Sequence, residues 1–103
     1  MYTVVLVTAK DEQEAKKISK KLLSEKLVAC ANIVKSVESL FWWEGKIDQS
    51  NEALLVLKTK KSLFKKLEKA VKSVHSYSTP EIIALPIVAG SKDYLKWIDE
   101  SVR

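Results

Sequence analysis

Arginine is almost absent from this chain. The only one, Arg103, is the last residue, and the other 17 of the 18 basic residues are lysines. Bidentate recognition of phosphate or guanine favours the planar guanidinium. The net charge of +5 therefore reads as a solvated lysine surface, and no nucleic-acid partner is expected. Glycine and proline number two each, which excludes collagen-like, linker-rich and low-complexity classes. The single cysteine, Cys30, has no internal disulfide partner. No apolar run approaches the ~20 residues of a spanning helix, so no membrane association is expected. No basic segment precedes the first apolar run, and no signal peptide is expected. Together these features point to a soluble protein of the reducing cytoplasm. Catalytic signatures are missing as well: there is no G-x-S-x-G, no glycine-rich phosphate loop and no H-E-x-x-H. The chain is expected not to be an enzyme.

What is present is apolar. Hydrophobic residues make up 47% of 103 positions, enough for one core and one domain spanning 1–103. Thr3 to Thr8 reads as a strand through Val4, Val5, Leu6 and Val7. Asp11, Glu12 and Glu14 then suit the first turn of a helix. Ala15, Ile18 and Leu22 carry its apolar stripe to about Lys26. Val28 to Trp43 is a long strand bent near Lys35-Ser36, and Glu44-Gly45-Lys46 is the strongest turn signal. A loop through Asp48–Asn51 is expected to lead into a strand from Glu52 to Thr59, giving a hairpin connection longer than two residues. Leu63, Leu67, Ala70 and Val74 mark a second helix over 60–74. Glu81 to Val88 is a strand whose Pro86 confines it to an edge or a bulge. Ser91 caps a terminal helix. The order β-α-β-β-α-β plus α is an α+β, ferredoxin-like split βαβ sandwich with an antiparallel sheet.

In that fold both main helices lie on one sheet face, and the other should turn polar in a monomer. Here Leu54 and Val56 oppose Ala53, Leu55 and Leu57, and the last strand is apolar on both sides. An apolar sheet face of several hundred Å² is rarely left to water. A homo-oligomer with packed sheet faces is therefore expected. Trp42 and Trp43 point to opposite sides of their strand, one reading as core and the other as an interface anchor. The strand at 52–57 lacks the aromatic platform of RNA-binding relatives of this topology.

Few residues carry chemistry. Cys30 offers a soft thiolate suited to Cu(I) or Zn, or else it is a small buried apolar residue. His75, the only histidine, is either a helix-terminal cation or a ligand, and one Cys with one His cannot complete a tetrahedral site. Oligomer symmetry multiplies both. Asn32 is an unusual strand residue, and Glu52, Lys58, Tyr77 and Glu81 are placed to meet in a polar pocket at the end of the sheet.

Taken together, several stretches resemble the CutA divalent-cation tolerance family. They are Leu27-Val28-Ala29-Cys30-Ala31-Asn32-Ile33, Phe41-Trp42-Trp43-Glu44-Gly45-Lys46-Ile47, Glu52 with Lys58-Thr59, His75 to Ile87, and Tyr94 to Ile98. They cover nearly the whole chain in order. The resemblance implies a ferredoxin-like subunit in a tight homotrimer, related in architecture to PII signalling proteins. It implies a cytoplasmic, non-catalytic protein linked to tolerance of copper and other divalent metals, with no cofactor required for folding. It points to Cys30 and His75 as metal ligands. It also points to an inter-subunit cleft near Asn32, Trp43, Glu52, Lys58, Tyr77 and Glu81. The competing expectations are a PII-like small-ligand sensor and a structural, protein-anchoring module.

Overall fold

The computed structural model covers residues 1–103. It orders them as β1 (Tyr2–Ala9), α1 (Glu12–Ser24), β2 (Cys30–Trp43), β3 (Lys46–Lys60), a 3-10 turn (Lys61–Leu63), α2 (Phe64–Val74), β4 (Ile82–Pro86) and α3 (Lys92–Ser101). The strands form one sheet in the order β2-β3-β1-β4, antiparallel at every pairing. This is the split βαβ topology with a C-terminal helix, as the residue pattern implies.

Helix α1 starts where its side chains can satisfy free backbone donors. Asp11 Oδ1 accepts from the Glu14 N–H at 2.8 Å, and Glu14 Oε1 accepts from the Lys10 N–H at 3.0 Å. The helix stops where the chain turns left-handed at Lys26 (φ 56°). There the Leu27 N–H donates to Leu22 O at 2.9 Å and the Lys26 N–H to Leu23 O at 3.0 Å, a Schellman ending.

The core lies between the sheet and the two helices. Val5, Val7, Leu55 and Leu57 from the central strands meet Ile18, Leu22, Leu67 and Val71, all fully buried. The opposite face carries Val4, Leu6, Leu54 and Val56, only half-buried, and Ile83 and Leu85 from the edge strand, exposed. Helix α3 covers one end of this open face. Its Asp99 accepts a hydrogen bond from the Tyr2 hydroxyl and pairs with Lys60 at 3.4 Å. The rest of the face is bare.

Three expectations are corrected. Asp48–Asn51 is not a loop: β3 begins at Lys46 and pairs with β2 from Trp43↔Lys46 onward. The hairpin connection is therefore only Glu44-Gly45, with φ of 50° and 78°, the two-residue turn with both centres left-handed that matches strand twist. The polar residues misled because this part of the hairpin is an arm with no layer on either side, so burial does not impose alternation. For the same reason neither Trp42 nor Trp43 is core; they are 73% and 54% exposed. The bend expected near Lys35-Ser36 is present as a bulge between Val34 and Val37, with Ser36 left-handed. Pro86 ends β4 on the outer edge of the sheet.

Candidate functional site

The residues singled out from the sequence fall into two groups within the chain. The first sits on the open face under α3. Cys30 lies opposite Lys58 across the β2–β3 ladder, and Lys58 opposite Val4. The Lys58 ammonium donates to Asn32 Oδ1, and the half-buried Cys30 thiol donates to the same oxygen at 3.7 Å. Tyr94 of α3 stands against the thiol. Burial first, and the Cys30 sulfur second, push the Tyr94 phenol above its ordinary pKa. Asn32 thus serves as the shared acceptor of a small polar cluster, which accounts for an asparagine inside a strand.

The second group lies at the other end of the sheet, where α2 gives way to β4. The His75 ring is fully buried. Its Nε2 is 2.7 Å from Thr8 O, and its Nδ1 accepts from the Tyr77 N–H at 3.0 Å. A carbonyl can only accept and an amide can only donate, so His75 is the neutral tautomer protonated on Nε2. Neither nitrogen then offers a lone pair to a metal. His75 pins the Ser76-Tyr77 segment against β1 instead.

Glu14 completes this anchor. Its Oε2 accepts from the Ser76 N–H at 2.9 Å. Burial pushes its carboxyl upward, but the hydrogen bonds from Lys10 and Ser76 outweigh that and hold it below the usual carboxylate range. From the sequence Glu14 read only as a first-turn acid; nothing in its spacing marks it as an anchor for a segment 62 positions away.

The segment so held presents the Tyr77 hydroxyl, which donates to Glu52 Oε2 at 2.6 Å. Burial first, then the neighbouring Glu52 carboxylate, push the Tyr77 phenol well above its ordinary pKa. Around this pair opens a cleft of about 910 Å³, with Trp43, Glu38, Asp48 and Glu81 on its walls. Glu38 and Asp48 were not legible as site residues, because their approach to Glu52 depends on the strand pairing of the arm.

Lys58 and Glu52 are six residues apart on β3, roughly 20 Å at strand rise. The chain therefore does not bring Lys58, Asn32 and Cys30 together with Glu52, Tyr77, Trp43 and Glu81. Cys30 and His75 are also apart, since Cys30 is level with Val4 and His75 bonds Thr8, about 13 Å further along β1. No three His, Cys, Asp or Glu side chains of the chain are grouped to hold a metal ion.

Residues 3–101 match the model of a protein family described as CutA1 divalent ion tolerance protein. The chain is similar to the chloroplastic CutA 1 protein of Oryza sativa, at 46% identity over 100 residues, covering 97% of this chain and 56% of that protein. It is 45% identical over 103 residues to the divalent-cation tolerance protein CutA of Archaeoglobus fulgidus, covering all of both chains. The solved structure of a protein of that organism, titled a periplasmic divalent cation tolerance protein, superposes with a TM-score of 0.97 over all of both chains at 45% identity. A Thermus thermophilus divalent cation tolerance protein superposes with a TM-score of 0.98 at 43% identity, again over all of both chains.

Proposed function

Since the chain belongs to the CutA1 divalent ion tolerance family, we propose that it is a non-catalytic homotrimer that binds divalent metal ions, copper among them, at sites completed between subunits. The observation that carries this reading is the separation just described. The two polar groups stand at opposite ends of one largely bare apolar sheet face, and no subunit alone gathers three ligating side chains. A neighbour packed head to tail brings the acidic cleft of one subunit toward the Cys30–Asn32–Lys58 group of the next, and such a heterologous contact closes into a ring. The number three rests on the family resemblance.

The residues present fit a metal ion in part. Cys30 is a half-buried soft donor suited to copper. Glu38, Asp48, Glu52 and Glu81 concentrate negative charge that favours cations. His75 does not fit, since both ring nitrogens are engaged; its part is to position Tyr77. Bound copper would gain soft-sulfur ligation from Cys30, while this chain's own contribution is the placement of that thiol and of the carboxylates. Cytoplasmic location is part of the proposal. It rests on a half-buried free thiol with no internal disulfide partner; no helix here is long and apolar enough to cross a membrane.

Copper titration of the wild type against Cys30→Ala and Tyr77→Phe tests the reading. Loss of affinity in Cys30→Ala with an intact oligomer supports it. Equal copper affinity in wild type and Cys30→Ala removes the thiol from the site. A second reading, a PII-like sensor of small ligands, is favoured by the cleft itself. Its volume of about 910 Å³ lies in the range of small-molecule sites, and Trp43 and Tyr77 supply aromatic walls. A thermal-shift screen of nucleotides and carboxylates separates the two readings, because only the sensor gains stability from a metal-free metabolite.

A further inference from the structure

The net charge of this chain is not spread over its surface. Residues 10–26 and 61–75, which build α1, α2 and their ends, hold eleven lysines against five acids, a net of +6. The remaining residues hold seven basic and eight acidic groups, a net of −1. The whole positive balance therefore sits on the helical layer, away from the acidic cleft at the arm.

Helix geometry sharpens this. Helix α1 buries Ala15, Ile18 and Leu22, so Lys17 and Lys20 project from its outer side. Helix α2 buries Leu67, Ala70 and Val71, so Lys65 and Lys69 project outward with Lys66 beside them. All five are exposed. None has a carboxylate within 4 Å, whereas Lys16, Lys21 and Lys72 are paired within their own helices. Two helices packed side by side are 8–10 Å apart, so the lysines form two rows at about that spacing.

We propose that this helical face docks on the phosphate backbone of duplex nucleic acid without reading its sequence. Rows of positive charge about 8–10 Å apart suit two phosphodiester strands flanking a groove about 12 Å wide. The scarcity of arginine excludes bidentate base readout, and no exposed aromatic side chain lies on this face for stacking; neither is needed to neutralise phosphates. A bilayer is the poorer fit, because stable attachment takes an apolar insertion beside the basic patch. On this helical layer the one large exposed apolar side chain is Leu23, at 43%, while Trp42, Leu40, Ile47 and Val88, all more exposed, are on the arm and beyond β4. An acidic peptide would want a groove, and the main cleft lies on the arm and is itself acidic.

The test is fluorescence anisotropy of a mixed-sequence 20-base-pair DNA duplex titrated with the full-length protein at 50 and 200 mM NaCl. Five lysine–phosphate contacts predict an affinity loss of about 500-fold across that range. The variant Lys17→Gln/Lys20→Gln/Lys65→Gln/Lys66→Gln/Lys69→Gln, with its fold checked by circular dichroism, should lose nearly all binding at 50 mM salt. A charge-matched control, with Lys35, Lys46, Lys92, Lys96 and Arg103 changed to Gln, should keep the steep salt dependence. Absence of duplex binding by the wild type at 50 mM salt overturns the proposal. So does equal loss in the two variants, which would mean that only net charge matters. Tighter binding to phosphatidylserine vesicles or to poly-glutamate than to the duplex overturns it in favour of those partners.

Discussion

At the scale of single residues, the most consequential interactions are the hydrogen bonds that fix the His75–Tyr77 segment. Glu14 is buried, yet its pKa lies below the ordinary carboxylate value because Lys10 and Ser76 donate to its charged form. A lowered folded-state pKa contributes stability above the unfolded pKa of about 4.3, lost as pH falls through the folded value. Part of the acid sensitivity of unfolding should therefore come from this one group. Urea denaturation at pH 7 and pH 3 should give a smaller difference for Glu14→Gln than for the wild type. An unchanged difference would place the acid sensitivity elsewhere. Tyr77→Phe tests the other end of the chain of bonds. It removes the donor to Glu52 at 2.6 Å and should cost about 1.5–3 kcal/mol, as for other hydrogen bonds to charged groups, measured as a fall in the denaturation midpoint. The positions of Cys30, His75 and Tyr77 were legible as chemically unusual. Their partners were not, because Thr8, Glu14 and Glu52 reach them through tertiary contacts that no local spacing encodes.

At the scale of elements, left-handed backbone positions set where structure turns. Gly45 (φ 78°) closes the β2–β3 arm, and a Cβ built there meets nothing within 4 Å. The penalty for Gly45→Ala is thus conformational alone, about 1–2 kcal/mol, and thermal denaturation should show it as a lowered midpoint. Lys26 occupies the left-handed position after α1 (φ 56°), where glycine is the preferred residue. Lys26→Gly should stabilise by up to about 1 kcal/mol, read in the same experiment. The elements themselves were largely legible. Periodicity located α1 and α2, each with one buried face, and short contiguous apolar runs located β1 and β4. The first half of β3 was not, because Asp48, Gln49, Ser50 and Asn51 lie in an arm exposed on both sides, where polarity carries no information about backbone pairing. Register was equally hidden. That Cys30 faces Lys58 depends on a two-residue turn and on the bulge at Val34–Val37, and each shifts the ladder.

At the scale of the whole molecule, the chain is more extended than a compact domain of its length. Its Cα radius of gyration is 14.1 Å, against about 12.8 Å for a compact chain of this length. The excess comes from an arm that stretches the molecule to 44 × 26 × 23 Å. That arm carries Leu40, Trp42, Trp43 and Ile47, between 63% and 73% exposed apart from Trp43 at 54%. The open sheet face adds Val34, Ile83 and Leu85, each close to half exposed. Burying a large apolar side chain is worth about 1.5–3 kcal/mol, so this inventory is a strong drive to associate. Val56 sits on the central strands of the open face, opposite Asn32 on one side and Leu6 on the other. A carboxylate there has water to face in a monomer and an apolar partner in an oligomer. Val56→Glu should therefore leave the subunit folded and shift the mass toward 11.7 kDa, while the wild type scatters as a multiple of that mass at micromolar concentration. A wild type that remains a folded 11.7 kDa particle would leave the two polar groups at their separate ends of the sheet, with no neighbour to join them.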